Sequence, residues 1–216
     1  MHDNAVLCGA SGNGMLTLIT LTMPIMSTYF TPVLTTDRLV LRPLTPGDAP
    51  ALYSIFSDPD VVRYWSAEPW TDISFAETAI ARALEGYRDE SDIRFAIELA
   101  ATAQLIGTVN LHHFFNQNNR CELGYALGSA HWGKGYAYEA LGAALDHGFR
   151  EVGLNRVEAD IDPRNAASAR LLEKLGFRKE GYMPQRWRVY GEYADTVFYG
   201  LLRSYWDQRN QQKVAA

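Results

Sequence analysis

Apolar and polar positions along this chain change period repeatedly, and each change marks an element. Residues 38–44 alternate in the manner of a half-buried strand. Pro46-Gly47-Asp48 opens a helix that runs to about Phe56. Ser74-x-x-Glu77 has the form of a capping box at the start of a second helix, which extends to about Asp89 with Phe75, Ala79, Ala83 and Tyr87 at helical spacing. Residues 95–99 and 105–115 read as a hairpin with its turn near Thr102, and residues 122–128 as the next strand. Tyr136–Arg150 is a helix in which Ala137, Leu141, Ala144, Leu145 and Gly148 make a narrow small-residue stripe, suited to close packing on a sheet. A strand at Arg156–Ile161, a helix at Ala166–Leu175 stopped by Gly176, and two antiparallel strands at Arg178–Val189 and 196–202 complete the pattern. The order β-α-α-β-β-β-α-β-α-β-β predicts an α/β (α+β) fold: a mixed, mostly antiparallel central sheet of about seven strands with helices on both faces.

Residues 1–30 differ from the rest. Glycine, serine and asparagine give way to an apolar run from Met15 to Met26 that is too short to span a membrane and has no Lys or Arg before it. The expectation is an extension, disordered or docked on a partner, with Met23 and Met26 as alternative starts and a signal peptide as the lesser alternative, ahead of a single domain over residues 31–210. At 216 residues the chain is long enough for a sizeable core. A net charge of −5 without a long basic run gives no sign of a nucleic-acid surface. Two cysteines, Cys8 and Cys121, make no disulfide framework and no metal-ligand spacing, which suits a reducing cytoplasm and predicts no metal.

The segment with the most chemistry in it is Trp132-Gly133-Lys134-Gly135-Tyr136-Ala137, a glycine loop opening a helix. The first N–H groups of a helix have no intrahelical partner and lie at its positive end, and glycine lets them approach an anion closely. A dinucleotide fingerprint would need a third glycine where Tyr138 stands, and an ATP-type loop would need a hydroxyl where Gly135 stands, so both patterns are near misses. What remains is a pyrophosphate cradle of another kind, or a tight strand-to-helix turn.

With Glu122-Leu123-Gly124-Tyr125, Glu139-Ala140-Leu141, Asp162-Pro163-Arg164-Asn165-Ala166-Ala167-Ser168, Leu172-Glu173-Lys174-Leu175-Gly176-Phe177, Glu180-Gly181 and an opening Thr36-Asp37-Arg38-Leu39-x-Leu41-Arg42, this loop resembles the GCN5-related N-acetyltransferases (GNAT), in particular their RimJ/RimL-like branch. The resemblance runs from about residue 35 to about residue 203 and implies the GNAT fold. It also implies acetyl-coenzyme A as co-substrate, an amine as acceptor, attack in a ternary complex, and a homodimer through the C-terminal strands. The acceptor is either a protein N-terminal amine, as on a ribosomal protein, or a small-molecule amine. On this resemblance Leu127 offers backbone hydrogen bonds to the thioester and pantetheine, and Trp132, Gly133, Lys134, Gly135, Tyr136 and Ala137 hold the pyrophosphate. Asn165 binds the cofactor arm and Ser168 faces the sulfur. Trp132 stands where the family carries a polar residue, and Leu172 where many members carry a tyrosine acid.

The residues also have plainer readings. Asn165 fits a helix N-cap and Ser168 a first-turn serine. Glu122 and Asp160 are candidate general bases, and Glu158, Asp160 and Asp162 share one strand face by alternation, where ion pairing or solvation is equally open to them. Arg170, Lys174, Arg178 and Lys179 could meet a 3′-phosphate or make a solvated face. His112 and His113, adjacent on a strand, should face opposite sides. Tyr64, Trp65, Trp70, Trp187, Tyr190 and Tyr193 could wall an acceptor cleft or belong to core and interface. A non-catalytic acyl-coenzyme A-binding module is the alternative to an enzyme, favoured by Leu172. If Ser168 is the residue nearest the sulfur, Ser168→Ala is expected to slow turnover modestly. A loss of several thousand-fold, on the order of a whole acid–base contribution, would instead make it the catalytic acid.

Overall fold

The structure, a computed structural model, describes the backbone at residues 7–9 and 17–19 and then residues 30–214. β1 (Leu7–Gly9) and β2 (Thr17–Ile19) pair antiparallel. The expected disorder or docking of residues 1–30 otherwise lies outside the described residues.

The main sheet has eight strands: β3 (Leu34–Thr35), β4 (Leu39–Pro43), β5 (Ile93–Leu99), β6 (Leu105–Phe115), β7 (Arg120–Leu127), β8 (Arg156–Ile161), β9 (Arg178–Val189) and β10 (Glu192–Leu202). Their spatial order is β3-β4-β5-β6-β7-β8-β10-β9, antiparallel except for the β7–β8 pair. Helices α1 (Ala49–Phe56), α2 (Pro59–Val62) and α3 (Ser74–Arg88) cover one face. Helices α4 (Tyr136–Arg150), α5 (Ala166–Leu175) and α6 (Arg203–Val214) cover the other. The expected class and element order hold. β3 and α2 escaped the sequence reading because they are too short to show a period, and the twelve-residue α6 because it is polar almost all round.

Strand alternation divides the core in two. Ile93, Phe95 and Ile97 of β5 point to the α4–α5 face with Leu141, Ala144, Leu145 and Phe149, while Ala96 points to the α1–α3 face. The small-residue stripe on α4 does pack closely: a methyl group added at Gly148 would lie 3.1 Å from both Leu111 and Leu154 side chains. On α3 the apolar face is Ala76, Ile80, Ala83 and Tyr87, rotated from the expected one, and Phe75 is half exposed. The helix starts without the Ser74 capping box; Asp72 Oδ1 accepts the Ser74 N–H at 2.8 Å instead.

Where β4 leads into α1, Arg42 joins two carboxylates. Its guanidinium forks onto both oxygens of Asp48 at 2.8 and 2.9 Å, and its Nε donates to Glu98 at 2.8 Å. Asp48 also accepts the Thr45 N–H at 2.7 Å. Burial alone would raise the Asp48 pKa, but the hydrogen bonds from Arg42 and Thr45 outweigh it and hold the carboxyl below its usual value. A depressed carboxyl contributes stability above its unfolded pKa and loses it as pH falls through the folded one. Asp48→Asn should therefore cost about 1–3 kcal/mol at pH 7. In urea titrations the gap to the unaltered chain should close as pH drops below about 4; a gap independent of pH would exclude the ion pair as its source.

Candidate active site

The site begins with a break in the sheet. β7 and β8 pair only at Arg120–Arg156, Cys121–Val157 and Glu122–Glu158. Beyond Glu122, β7 stays on β6 through Leu127, while β8 stays on β10 through Ile161. The two inner strands thus part, and a cleft opens between them. Gly128 N–H bonds to Ile106 O of β6 at 2.9 Å, so by alternation the N–H groups of Leu127 and Tyr125 point away from β6, toward the cleft. Unpaired backbone groups facing a cleft in the middle of a sheet call for a ligand or water.

The glycine loop closes the far end of this cleft. Gly133 and Gly135 have φ of 73° and 81°, a left-handed conformation that explains the two glycines, and Gly135 is the N-cap of α4. The N–H groups that start α4 therefore face the opening without helical partners. A cavity of about 560 Å³ runs along the cleft, lined by Leu127, Trp132, Gly133, Gly135, Tyr136 and Ala137 among others. Trp132 uses its indole N–H to bind Leu127 O at 2.7 Å, tying the loop to β7. The Lys134 side chain does not line the cavity and folds back onto Ala130 O at 2.9 Å.

A second tie explains the opening motif Thr36-Asp37-Arg38. Glu139, in the first turn of α4, accepts from Thr36 Oγ1 at 2.7 Å, Arg38 N–H at 2.9 Å and Arg38 Nε at 2.7 Å. Arg38 also donates to Lys134 O at 3.0 Å and lies 4.7 Å above the Tyr136 ring. Burial would raise the Glu139 pKa, but these donors overcome it and keep the carboxylate ionised. One arginine thus fixes both the glycine loop and the helix it opens. Of the basic cluster, Lys174 lines the cavity and sits 4.6 Å over Tyr138, whereas Arg178 packs 3.6 Å over Tyr205.

Asn165 is an N-cap, its Oδ1 accepting the Ser168 N–H at 3.1 Å, and it lines the cleft as well. Ser168 is buried, and its hydroxyl lies 2.6 Å from the Tyr125 hydroxyl across the cleft. Leu172 is fully buried in the core and lines no part of the cleft.

A second cavity, about 310 Å³, adjoins the first and is walled by Tyr64, Trp65, Trp187, His112, Asp160 and Asp162 among others. Trp70 stacks on Phe56 at 4.6 Å and Tyr190 reaches Val62 O at 3.3 Å, and neither lines this cavity. The acidic strand face is ion-paired: Glu158 with Arg120 and Arg156, Asp160 with Arg186, and Asp162 with Arg164. Asp160 lines the cavity, but its Oδ2 also accepts from Trp187 Nε1 at 3.0 Å. Glu122 lines neither cavity and pairs with His113 Nδ1 at 3.1 Å.

His112 and His113 depart from simple alternation. The β6–β7 register shifts after His112, and His113 has φ of 50°. This bulge turns both rings together, 4.5 Å apart. With Glu122 they offer three ligand atoms within 4.8 Å of one another, a group able to chelate a cation that the sequence spacing did not reveal. Burial, and secondarily His113, pushes the His112 pKa down to about 4, so this imidazole is neutral at neutral pH. His112 and the Tyr125–Ser168 contact are the site features that sequence reasoning missed; only the adjacent histidines and the motif tyrosine hinted at them.

The profile described as "Acetyltransferase (GNAT) domain" matches residues 38–178. Over 172 residues the chain is 38% identical to an uncharacterised N-acetyltransferase, p20, of Bacillus licheniformis, covering 78% of this chain and 94% of that protein. It is 31% identical over 180 residues to the [ribosomal protein uS5]-alanine N-acetyltransferase of Escherichia coli, covering 80% and 92%. The crystal structure of spermidine N-acetyltransferase from Vibrio cholerae, in complex with CoA and spermine, superposes with a TM-score of 0.71 at 26% identity, covering 79% of this chain and 99% of that one. Glycine loop, parted strands and matched relatives agree: the chain belongs to the GCN5-related N-acetyltransferase (GNAT) family and is an N-acetyltransferase.

Proposed function

We propose that this enzyme transfers an acetyl group from acetyl-coenzyme A to a primary amine, by direct attack of the amine on the thioester in a ternary complex within the domain spanning residues 31–210. The observation that carries this reading is the meeting of two cavities. One leads along the open edge of β7 to the glycine loop and the other is walled by aromatics and carboxylates; Tyr64, Trp65, Tyr125, Asn165 and Ser168 line both. In this reading the N–H groups from Gly133 to Ala137 take the pyrophosphate, and Lys174 stands at the outer mouth for the ribose phosphate. The Leu127 N–H is aimed where the carbonyl oxygen becomes negative as the amine adds, a fixed donor in a cleft with little water to reorganise.

The acceptor enters as a cation. Asp160 and Asp162 bring carboxylates, and Trp65 and Trp187 bring ring faces, to a cavity of this size. Their arginine partners temper the field, which suits binding an ammonium that must still lose its proton before attack. A peptide α-amine with a pKa near 8 meets that demand at neutral pH more easily than an amine near 10. We therefore favour a protein N-terminus over a polyamine; the relatives include one named for an alanine of ribosomal protein uS5 and one named for spermidine. Glu122 has no part, since it reaches neither cavity. The exposed edge strand β9, with Tyr182 and Met183 uncovered, is the surface we assign to a homodimer, and the free buried Cys121 suits a cytoplasmic enzyme.

Calorimetric titration is expected to give micromolar binding of acetyl-coenzyme A and none of magnesium-ATP; binding of neither would remove the cofactor assignment. Gly135→Val forces a branched side chain into a φ of 81° and should weaken acetyl-coenzyme A binding at least about tenfold. Arg38→Ala should also raise its Kd about tenfold, through the loosened loop. In a thiol-release assay, an N-terminal alanine peptide should outpace spermidine; the reverse order would assign the acceptor to the polyamines.

A further inference from the structure

The residue that usually supplies the leaving-group proton in this fold has no equivalent at position 172, where Leu172 faces the core. The cleft nonetheless contains a tyrosine, on its opposite wall. Tyr125 rises from the parted half of β7, Ser168 from the first turn of α5, and their hydroxyls meet at 2.6 Å. Both residues line both cavities, so the contact lies where a donor held in one and an acceptor held in the other must react.

We propose that Tyr125 is a positioning residue for acetyl transfer: its phenol O–H donates to Ser168 Oγ and thereby aims the Ser168 hydroxyl at the departing sulfur. The inference rests on the acetyl-coenzyme A reading above. The contact lets either hydroxyl donate; the relay takes the phenol as donor, the direction that leaves the serine proton free for the sulfur. The Ser168 backbone N–H donates to Asn165 Oδ1, and among the described residues the Ser168 hydroxyl, which has one proton, contacts the Tyr125 oxygen. If Tyr125 fills the acceptor side of that hydroxyl, the serine proton is released toward the cleft. A hydroxyl that accepts one strong hydrogen bond is also a stronger donor of the next. Burial holds the Tyr125 phenol up at about 12, so it remains a donor throughout the working range of the enzyme.

The chemistry balances without a net proton from either residue. The amine nitrogen bonds to the thioester carbon, the C–S bond breaks, and its electron pair goes to sulfur under the Ser168 O–H. The nitrogen sheds a proton as it becomes an amide nitrogen, and that proton, through solvent, converts the thiolate to the thiol. Tyr125 and Ser168 begin and end the cycle neutral.

The test measures kcat, KM, acetyl-coenzyme A affinity by calorimetry, and thermal stability for Tyr125→Phe, Ser168→Ala and the double variant, with the best amine of the panel. The relay predicts that each single variant loses about tenfold in kcat, the worth of one hydrogen bond to a developing charge, while acetyl-coenzyme A affinity stays within about twofold. The double variant should be no slower than Ser168→Ala, because the phenol acts only through the serine. Replacing Tyr125 with a fluorotyrosine, a more acidic phenol of nearly the same shape, should keep kcat at or above that of the unaltered enzyme; a packing role would respond to neither acidity nor loss of the hydroxyl. Full kcat in Tyr125→Phe, or additive losses in the double variant, would overturn the relay while leaving the acetyltransferase reading intact. Failure of the unaltered chain to bind acetyl-coenzyme A would overturn that reading and the relay with it.

Discussion

The structure depends on a pairing that stops. Three residues of β7 and β8 bond in parallel, and the next residues of each strand bond only to their outer neighbours. In a buried sheet, unpaired backbone donors and acceptors would be costly, so the parting is stable only because the gap is a cleft open to water and ligand. The cleft lets both arms contribute side chains to the same point, Tyr125 from one and Ser168 from the other. Without it, the glycine loop would be only a turn.

Two ties hold the walls of the cleft, one fixing the glycine loop and the other bridging the parted arms. On the outer side, Glu139 gathers Thr36 and Arg38, and Arg38 reaches on to Lys134, so that the start of α4 and the loop before it are held from a distant part of the chain. On the inner side, Tyr125 and Ser168 bridge β7 and α5. The first tie is electrostatic and partly exposed, and it orients backbone N–H groups. The second is neutral and buried, and it joins two hydroxyls across the cleft. Both use residues of short motifs that, as sequence, give no indication of touching.

The carboxylates show the same economy of position. Asp160 and Asp162 reach the smaller cavity already bound to arginines, while Glu122 is drawn away to His113 by the bulge in β6. On the proposed reading, attraction for a cationic acceptor is thereby separated from proton removal. An amine that is partly neutral in solution suits such a site better than one needing a strong base.

The sequence alone determined the order of the long elements, because alternation and helical spacing are local consequences of burying one face. It also marked the glycine loop, whose left-handed residues require glycine at Gly133 and Gly135. It could not fix the apolar face of α3, where Ala76 and Ile80 displaced Phe75 and Ala79, because small residues count as apolar on either side. It placed His112 and His113 apart, because alternation assumes a regular strand and a bulge is decided by the partner strand. It offered Asp160 and Glu122 alike as candidate bases, where the structure brings Asp160 to a cavity and Glu122 to neither, and it gave no sign that Tyr125 meets Ser168. Those distinctions depend on which side chains meet across the parted strands, and contacts between residues 43 apart in the chain arise only when the sheet has formed.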